Sequence, residues 1–338
     1  MKQNENLVSI ILPVYNGSEY LSQALDSCLN QTYKNFELII VNDCSVDNSL
    51  EIIEKYAQND VRIIVCSNPV NLGLPTSLNI GHKLANGSMM TWTSDDNILQ
   101  VNFLDKLVNV LKAQQVPIVY SSYQIINDKS SVISLATNLN MNRLLFSNTI
   151  GCSFLYKRNV YYDLKGYQED LFLVEDYAFW LFASLSYPMY FVDENLYDYR
   201  LHKSSLTSDI ENKNFDRFYE VKKKLLERFG HKLNWQDITL NLIFKIHCQE
   251  PIKLMDYLSS LPTIKKDILT YRDKSFVNNP NVYQECLNTL RVHLFQNTAN
   301  HNFKTLKNVL WYSPIILLSK KRSVRKTLRL IKKSIFVY

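Results

Sequence analysis

The amino-acid sequence predicts an α/β fold: a mostly parallel, mixed sheet flanked by helices, followed by a helical C-terminal region. Three observations predict it. Short β-branched apolar runs alternate with segments of helical spacing through the first hundred residues. Polar clusters at Asn16-Gly17, Asn42-Asp43 and Ser94-Asp95-Asp96-Asn97 follow those runs, at the strand ends where such sheets bind ligands. From about Asn212 the apolar residues recur at helical spacing.

The elements follow in order. Val8–Val14 reads as a buried strand ended by the turn chemistry of Tyr15-Asn16-Gly17. Ser18 is a candidate cap for a helix whose Tyr20, Leu21, Ala24, Leu25, Cys28 and Leu29 share a face. Phe36–Val41 is a second strand, and Asp47 or Asn48 would cap a helix through Leu50, Ile53, Tyr56 and Ala57. Val61–Val65 is a third strand, Pro75–Ala85 a helix closed by Asn86-Gly87, and Ser88–Thr93 a fourth strand. Beyond residue 100 the pattern is mixed. Ile118–Ile126 and Phe154–Tyr156 read as strands, Glu175–Ser186 as a helix, and Met189–Val192 as a last strand. Helices are expected at Phe215–Phe229, Asp237–Cys248, Pro251–Leu261, Asn281–Gln296 and the basic C-terminus. The βα pattern stops near residues 207–214, which divides the chain into domains 1–210 and 211–338.

With 338 residues, 46% apolar and 21% charged, the chain has the make-up of an ordinary globular protein. MKQNENLVSI contains no basic segment leading into an apolar core, so no signal peptide is expected, and no apolar run reaches the length of a membrane span. The six cysteines, Cys28, Cys44, Cys66, Cys152, Cys248 and Cys286, form no CxxC pair, and free thiols in a cytoplasmic protein are expected. The net charge is +6, yet eleven Lys and Arg fall after Glu285, where no acid follows. Positive charge gathered in a tail, away from any recognition element, argues against a nucleic-acid partner.

Three motifs carry chemistry. Asp95-Asp96 puts two carboxylates in one loop at a strand end, where a hard divalent cation would relieve their repulsion. The plain structural alternative is a solvated turn with Asp95 capping a helix from Ile98. Glu175-Asp176 opens an aromatic helix after the apolar Leu171–Val174, a setting for a general base or simply for an N-terminal cap. Arg200 could hold phosphate oxygens, and His202 could ligate a metal or be an ordinary surface or core residue.

In their order these segments resemble family 2 glycosyltransferases of the GT-A fold, over roughly residues 7–206. Val8–Gly17 is similar to the family's opening strand and turn, and Leu38–Asn48 to its VVDDGSTDNT segment. Asn71-Leu-Gly73 with Ser77, Asn79, Gly81, Ala85 and Gly87 resembles NxGxxxARNxGxxxAxG. Thr93-Ser-Asp-Asp-Asn97 stands in place of the DXD metal motif. Gly166-Tyr167 with Glu175–Trp180 resembles GGF…EDYDLW, and Tyr199–Ser205 resembles YRxHxxS.

The resemblance implies an inverting transfer of a sugar from a nucleotide-sugar donor, UDP-linked by family habit, to a carbohydrate or lipid-linked acceptor in surface-polysaccharide assembly such as capsule or lipopolysaccharide. Pro13, Val14, Tyr15, Asn16, Glu19, Asp43, Asn71, Gly73, Ser94, Asp95 and Arg200 would line the nucleotide site. Asp43 would meet the base, and Asp95 the ribose or the metal. Asp96, Asp95 and His202 would hold Mn²⁺ or Mg²⁺. Asp176 would be the catalytic base, and Glu175, Trp180 and Gly151 would face the acceptor. Asn42 and Thr93 depart from the family, each standing where an Asp is frequent; the loss at Thr93 implies a weaker metal site.

Val324, Leu328, Ile331 and Ile335 make one apolar stripe on a basic terminal helix, after the apolar Leu310–Leu318. Such a helix can lie on an anionic membrane surface, peripheral to the inner face of the cytoplasmic membrane, or pack on its own domain. Two other functions compete. A nucleotidyltransferase should show a Gly-rich basic phosphate loop after the first strand, where Pro13–Glu19 has none; a degenerate glycan-binding module would not need Asp43, Asp95, Asp96 and Asp176.

Overall fold

The computed structural model describes residues 4–136, 139–212, 215–248, 250 and 254–274. They form two compact units. One comprises the described residues up to Leu144 and from Asn148 to Leu225; the other comprises Leu145–Ser147 and residues from Leu226.

The first unit opens with three βα repeats and a fourth strand. Strands β1 (Asn4–Val14), β2 (Phe36–Asn42), β3 (Ile63–Ser67) and β4 (Gly87–Trp92) are parallel neighbours in the order β3-β2-β1-β4. Helices α1 (Leu21–Leu29), α2 (Ser49–Asn59) and α3 (Leu74–Leu84) connect them. Every side chain of β2 is buried, as expected of a strand covered on both faces. Gly81 lets α3 approach the sheet: a Cβ there would meet Ile11 Cγ2 at 2.5 Å.

Beyond β4 the sheet becomes mixed. Strands β5 (Ile98–Leu99), β6 (Ile118–Ile126), β7 (Val132–Leu135), β8 (Phe154–Lys157) and β9 (Met189–Arg200) extend it as β4-β8-β6-β9-β5, with β7 antiparallel to β6. Helices α4 (Phe103–Ala113), α5 (Arg158–Asp163) and α6 (Glu175–Ser184) pack here, and α7 (Leu206–Asn212) follows β9. The core joins Val8, Ile10, Leu12 and Val14 of β1 to Leu38 and Ile40 of β2 and to Phe103, Leu107 and Leu111 of α4. The α/β class, the mixed sheet and the helical C-terminal region are as predicted.

Several boundaries differ. Strand β9 runs to Arg200, not Val192, because its polar centre bulges outward and pairing then resumes. No helix starts at Ile98; the chain forms β5 there, so Asp95 is not a helix cap. Ser18 does not cap α1, whose N-cap is Tyr20.

In the second unit, α8 (Phe215–Lys232), begun in the first, ends before α9 (Asp237–His247) and α10 (Leu254–Lys274). Asp267 Oδ2 accepts bonds from Thr239 Oγ1 at 2.6 Å and the Gln236 N–H at 3.0 Å, and so serves the start of α9 from α10. Helix α10 continues through Pro262, past the expected end at Leu261. No helix of the described residues is long and apolar enough to cross a membrane. The expected helix Asn281–Gln296, the apolar segment Leu310–Leu318 and the basic terminal helix lie outside the described residues.

Candidate active site

The site forms where the parallel strands end. The turn after β1 carries Asn16 in the left-handed region at φ 54°. The β2–α2 loop fastens it: Asn16 N–H donates to Ser45 Oγ, Gly17 N–H to Ser49 Oγ and Ser18 N–H to Asp47 Oδ2, each at 3.0 Å. Asp47 also accepts the Ser49 N–H at the start of α2. Burial opposes its charge, but bonds from Ser49 and Ser18 prevail and lower its pKa to about 2. Tyr15, Asn16 and Glu19 are exposed on this turn, whereas Pro13 and Val14 are buried. Pro13 and Val14, expected among the residues lining a nucleotide site, are buried at the end of β1, where they pair with Val41 and Asn42 of β2.

Asp43 follows β2. Its Oδ1 accepts Asn68 Nδ2 and the Leu72 N–H, and its Oδ2 accepts the Gly73 N–H, all at 2.8 Å. The carboxylate thus shapes the Asn71–Gly73 loop and retains lone-pair capacity on Oδ2. Asn71 is exposed and accepts the Gly73 N–H, while Gly73 stands at φ 83° where α3 begins. Asn42 is buried and accepts the Ser45 N–H, a stabilising role for the amide at that position.

Thr93, Ser94, Asp95 and Asp96 follow β4. Thr93 is buried and bonded to the Tyr197 hydroxyl at 2.8 Å, so that position offers no outward ligand. Ser94 is half-buried. Asp95 Oδ2 accepts the Tyr15 N–H at 3.3 Å and abuts Gly17, where a Cβ would come within 2.1 Å of the same oxygen. Burial, reinforced by the neighbouring Asp96, raises the Asp95 carboxyl to about 7. Asp96 Oδ2 lies 3.1 Å from His202 Nε2, while its Oδ1 is buried without a hydrogen-bond partner. The bond to Asp96 raises the proton affinity of His202, whose ring packs on Tyr20.

Arg200 requires a correction. It was expected at the diphosphate, yet it is fully buried. Its Nε donates to the Asp96 carbonyl at 2.8 Å, its Nη1 to Ser130 Oγ at 2.9 Å and its Nη2 to Gln23 Oε1 at 2.8 Å. The carbonyls of Asn127 and Asp128 complete the set, and the guanidinium lies 4.4 Å over the Tyr20 ring. The Arg200 N–H donates to Asn97 Oδ1. Arg200 therefore ties the Asp96 loop, α1 and the β6–β7 turn together from inside.

Asp176 lies in the first turn of α6, half-buried, with one oxygen accepting Asn148 Nδ2 at 2.7 Å and the other the Tyr177 N–H at 2.6 Å. Burial raises its proton affinity against those bonds and against Lys222. The charges of Asp96 and Asp176 both act on the Cys152 thiol and the Tyr199 hydroxyl, so the two carboxylates share one neighbourhood. Gly151, at φ 68°, borders it and packs on Tyr123.

Glu175 and Trp180 were expected to face an acceptor. The structure corrects this: Glu175 is 4% exposed and Trp180 fully buried against Phe154, Tyr156 and Phe179. The resemblance behind that expectation carries no information on facing, and α6 is buried nearly all round. Sequence reasoning missed Asn148, Gln23 and Ser130; each acts across 28 or more residues, and no local pattern marks it.

A divalent cation fits this arrangement. Asp96 Oδ1 is an orphaned buried anion-bearing atom beside a histidine nitrogen, an oxygen–nitrogen donor pair. Among the described residues no three acidic, His or Cys side chains form a closed metal cage. An ion held by Asp96 and His202 alone would keep positions for phosphate and water, as Mg²⁺ and Mn²⁺ usually do.

A parallel βα sheet extended by strands of mixed direction, with paired acids after β4 and a further acid opening α6, defines the GT-A class. Residues 9–180 match Glycosyl transferase family 2, and the chain belongs to that family. Uncharacterized glycosyltransferases resemble it. One from Rickettsia felis is 31% identical over 221 residues, covering 62% of this chain and 36% of that protein, so the chain spans about a third of its length. One from Rickettsia prowazekii is 32% identical over 226 residues, 63% of this chain and 70% of that protein. One from Haemophilus influenzae is 27% identical over 324 residues, 91% and 98%. Among solved structures, S. aureus TarS in complex with UDP-GlcNAc aligns with a TM-score of 0.59 at 17% identity, over 96% of this chain and 90% of that one. The mannosyltransferase PcManGT of Pyrobaculum calidifontis, in complex with GDP-Man and Mn²⁺, aligns at 0.50 with 13% identity, over 97% and 87%. At these identities the likeness is one of fold.

Proposed function

We propose that this chain transfers a sugar from a nucleotide-sugar donor, a UDP-sugar, to a carbohydrate or lipid-linked acceptor hydroxyl with inversion, in assembly of a surface polysaccharide. One observation carries the reading: Asp96, with one oxygen on His202 and the other orphaned, shares its surroundings with the half-buried carboxylate of Asp176, both acting on Cys152. The fold likeness to proteins solved with UDP-GlcNAc and with GDP-Man and Mn²⁺ supports the donor class.

In this mechanism the exposed Tyr15, Asn16 and Glu19 border the nucleoside, and the remaining lone pair of Asp43 Oδ2 is available to the base. Asp96 and His202 would hold Mn²⁺ or Mg²⁺, which when bound supplies Lewis-acid neutralisation of the departing diphosphate. Arg200 fixes the Asp96 backbone so that the carboxylate is already aimed. Asp176, oriented by Asn148 and the Tyr177 N–H, accepts the proton of the acceptor hydroxyl as its oxygen attacks the anomeric carbon. Burial raises its proton affinity, the direction that strengthens a general base. A single displacement of this kind inverts the anomeric centre.

The test is Asp176→Asn assayed against a panel of nucleotide sugars with Mn²⁺. Turnover is expected to fall about 10²–10⁴-fold with donor binding retained. Unchanged turnover rejects the assignment, and a product of retained anomeric configuration rejects the single displacement.

A further inference from the structure

Two adjacent carboxyl groups open α6, and their surroundings are unequal. Each oxygen of Asp176 receives a donor, Asn148 Nδ2 on one and the Tyr177 N–H on the other. Lys222 of α8 adds a favourable charge. Hydrogen bonds and a nearby cation of this kind favour an anion. Glu175 is more deeply buried, and its Oε2 has no hydrogen-bond partner. The backbone N–H groups of Leu173 and Glu175 are the donors its carboxyl finds. A charged oxygen without a donor in a dry wall is far more costly than a neutral hydroxyl there. Two like charges on neighbouring residues would add repulsion to that cost.

We propose that Glu175 is a neutral carboxylic acid in the working protein and Asp176 the ionised member of the pair, so that Glu175 acts as a positioning residue for its neighbour and not as an acceptor ligand. This deepens the reading above, since it rests on Asp176 as the base. Before the reaction the pair holds one proton, seated on Glu175. Asp176 gains a second from the acceptor hydroxyl and afterwards releases it to solvent.

The groups facing the pair agree with this. Cys152, Tyr123 of β6, Tyr199 of β9 and Tyr167 lie within reach of the Asp176 charge; burial above all, and that charge to a lesser degree, raises the pKa of each. They stay neutral and add no competing anion. Burial, then the Asp176 charge, lifts the Glu175 carboxyl to about 8, in keeping with the geometry.

The experiment uses the full chain labelled with ¹³C-glutamate. The carboxyl resonance that disappears in Glu175→Gln is followed in the wild type from pH 4 to pH 10 (roughly the span that brackets a raised carboxyl). A midpoint well above neutrality is expected; a midpoint in the ordinary carboxylate range overturns the proposal. This readout stands even if no nucleotide sugar is turned over, an outcome that would count against the functional reading alone. If Glu175→Gln does not fold, the same resonance is assigned through Glu175→Asp. Where activity is present, Glu175→Ala is expected to lower kcat by about 100-fold through misplacement of Asp176. The neutral, similarly sized Glu175→Gln is expected to recover most of that loss and to flatten the alkaline limb of the pH profile. Equal inactivity of the Gln and Ala variants overturns the proposal.

Discussion

Asp96 gives one carboxylate oxygen to His202 Nε2 at 3.1 Å and keeps the other buried with no hydrogen-bond partner. On the proposed reading, a group so placed would supply part of a coordination site. With UDP present, Asp96→Asn is expected to weaken Mn²⁺ binding by about 10–100-fold, and His202→Ala by less. Titration of free Mn²⁺ by electron paramagnetic resonance measures both. Affinity equal to that of the wild type would remove Asp96 from the metal site.

Arg200 acts on the same loop from behind. Lysine retains the charge at that position but cannot reach the Asp96 carbonyl, Ser130 and Gln23 together. Arg200→Lys is therefore expected to lose about 3 kcal/mol of unfolding free energy in urea, the cost of leaving a few buried acceptors unmatched. It should also weaken Mn²⁺ binding while leaving the direct ligands intact. A variant as stable as the wild type would show that the knot around Arg200 is dispensable.

Gly17 is wedged against Asp95. In Gly17→Ala the new Cβ would lie 2.1 Å from Asp95 Oδ2 and 2.9 Å from Asp95 Cβ, so the carboxylate must shift. Overpacking of this sort costs about 1–3 kcal/mol. The expected signature is weaker UDP binding by calorimetry, because the Tyr15 N–H loses its acceptor as Asp95 moves. Binding at wild-type strength would argue that Asp95 takes no part in the nucleotide site.

His82 predicts an acid limit to stability. Leu78 O can only accept, so His82 Nδ1 carries the proton and Nε2 accepts from the Tyr156 hydroxyl at 2.6 Å. The Tyr156 hydroxyl can then accept from Tyr167, which accepts from Trp92 Nε1. A second proton on the ring would reverse this chain and strand a hydroxyl. Burial lowers the folded pKa of His82 to about 4 from 6.5. The unfolded chain therefore takes up the proton first as pH falls. Stability is complete above about pH 6.5 and declines towards pH 4, by about 3 kcal/mol from this residue. Denaturant melts at stepped pH should show a shallower acid decline in His82→Gln; identical slopes would clear His82 of this role.

Much of the first half was legible because each strand from β1 to β4 is a short continuous apolar run ended by turn residues. The second half was legible only in part. Helix α4 has a regular apolar face at Phe103, Leu104, Leu107, Val108 and Leu111, and its signal was present but unread. Strand β9 was cut short because Asp193-Glu194-Asn195 reads as a loop, although those exposed residues bulge and the strand resumes. The helix expected to end at Leu261 runs on through Pro262, and packing of Ile264, Ile268 and Tyr271 carries α10 beyond it. At the site, the positions of Asp43, Asp95, Asp96, Asp176 and His202 at element ends were readable. Which way a side chain faces was not. Arg200, Glu175 and Trp180 look like outward functional groups in one dimension, and their burial depends on partners distant in the chain.

The bulged centre of β9 has a consequence for how this chain can change length. Met189 pairs with Ile118 and Arg200 with Ile126, so β9 takes three more residues than β6 to cover the same ladder. Side chains alternate faces along a strand, and an odd surplus decides which face each of Tyr199 and Arg200 takes, Arg200 toward the Asp96 loop and Tyr199 toward Tyr123 and Thr207. Removing one residue near Asp193 or Glu194 would look harmless, since both are on the surface and Glu194 pairs only with the exposed Lys106. It would nevertheless exchange the faces of Arg200 and Tyr199, taking the guanidinium away from the Asp96 carbonyl and the ring away from Tyr123. Removing two would restore the parity. Insertions and deletions in this stretch should therefore be tolerated in even steps and lethal in odd ones.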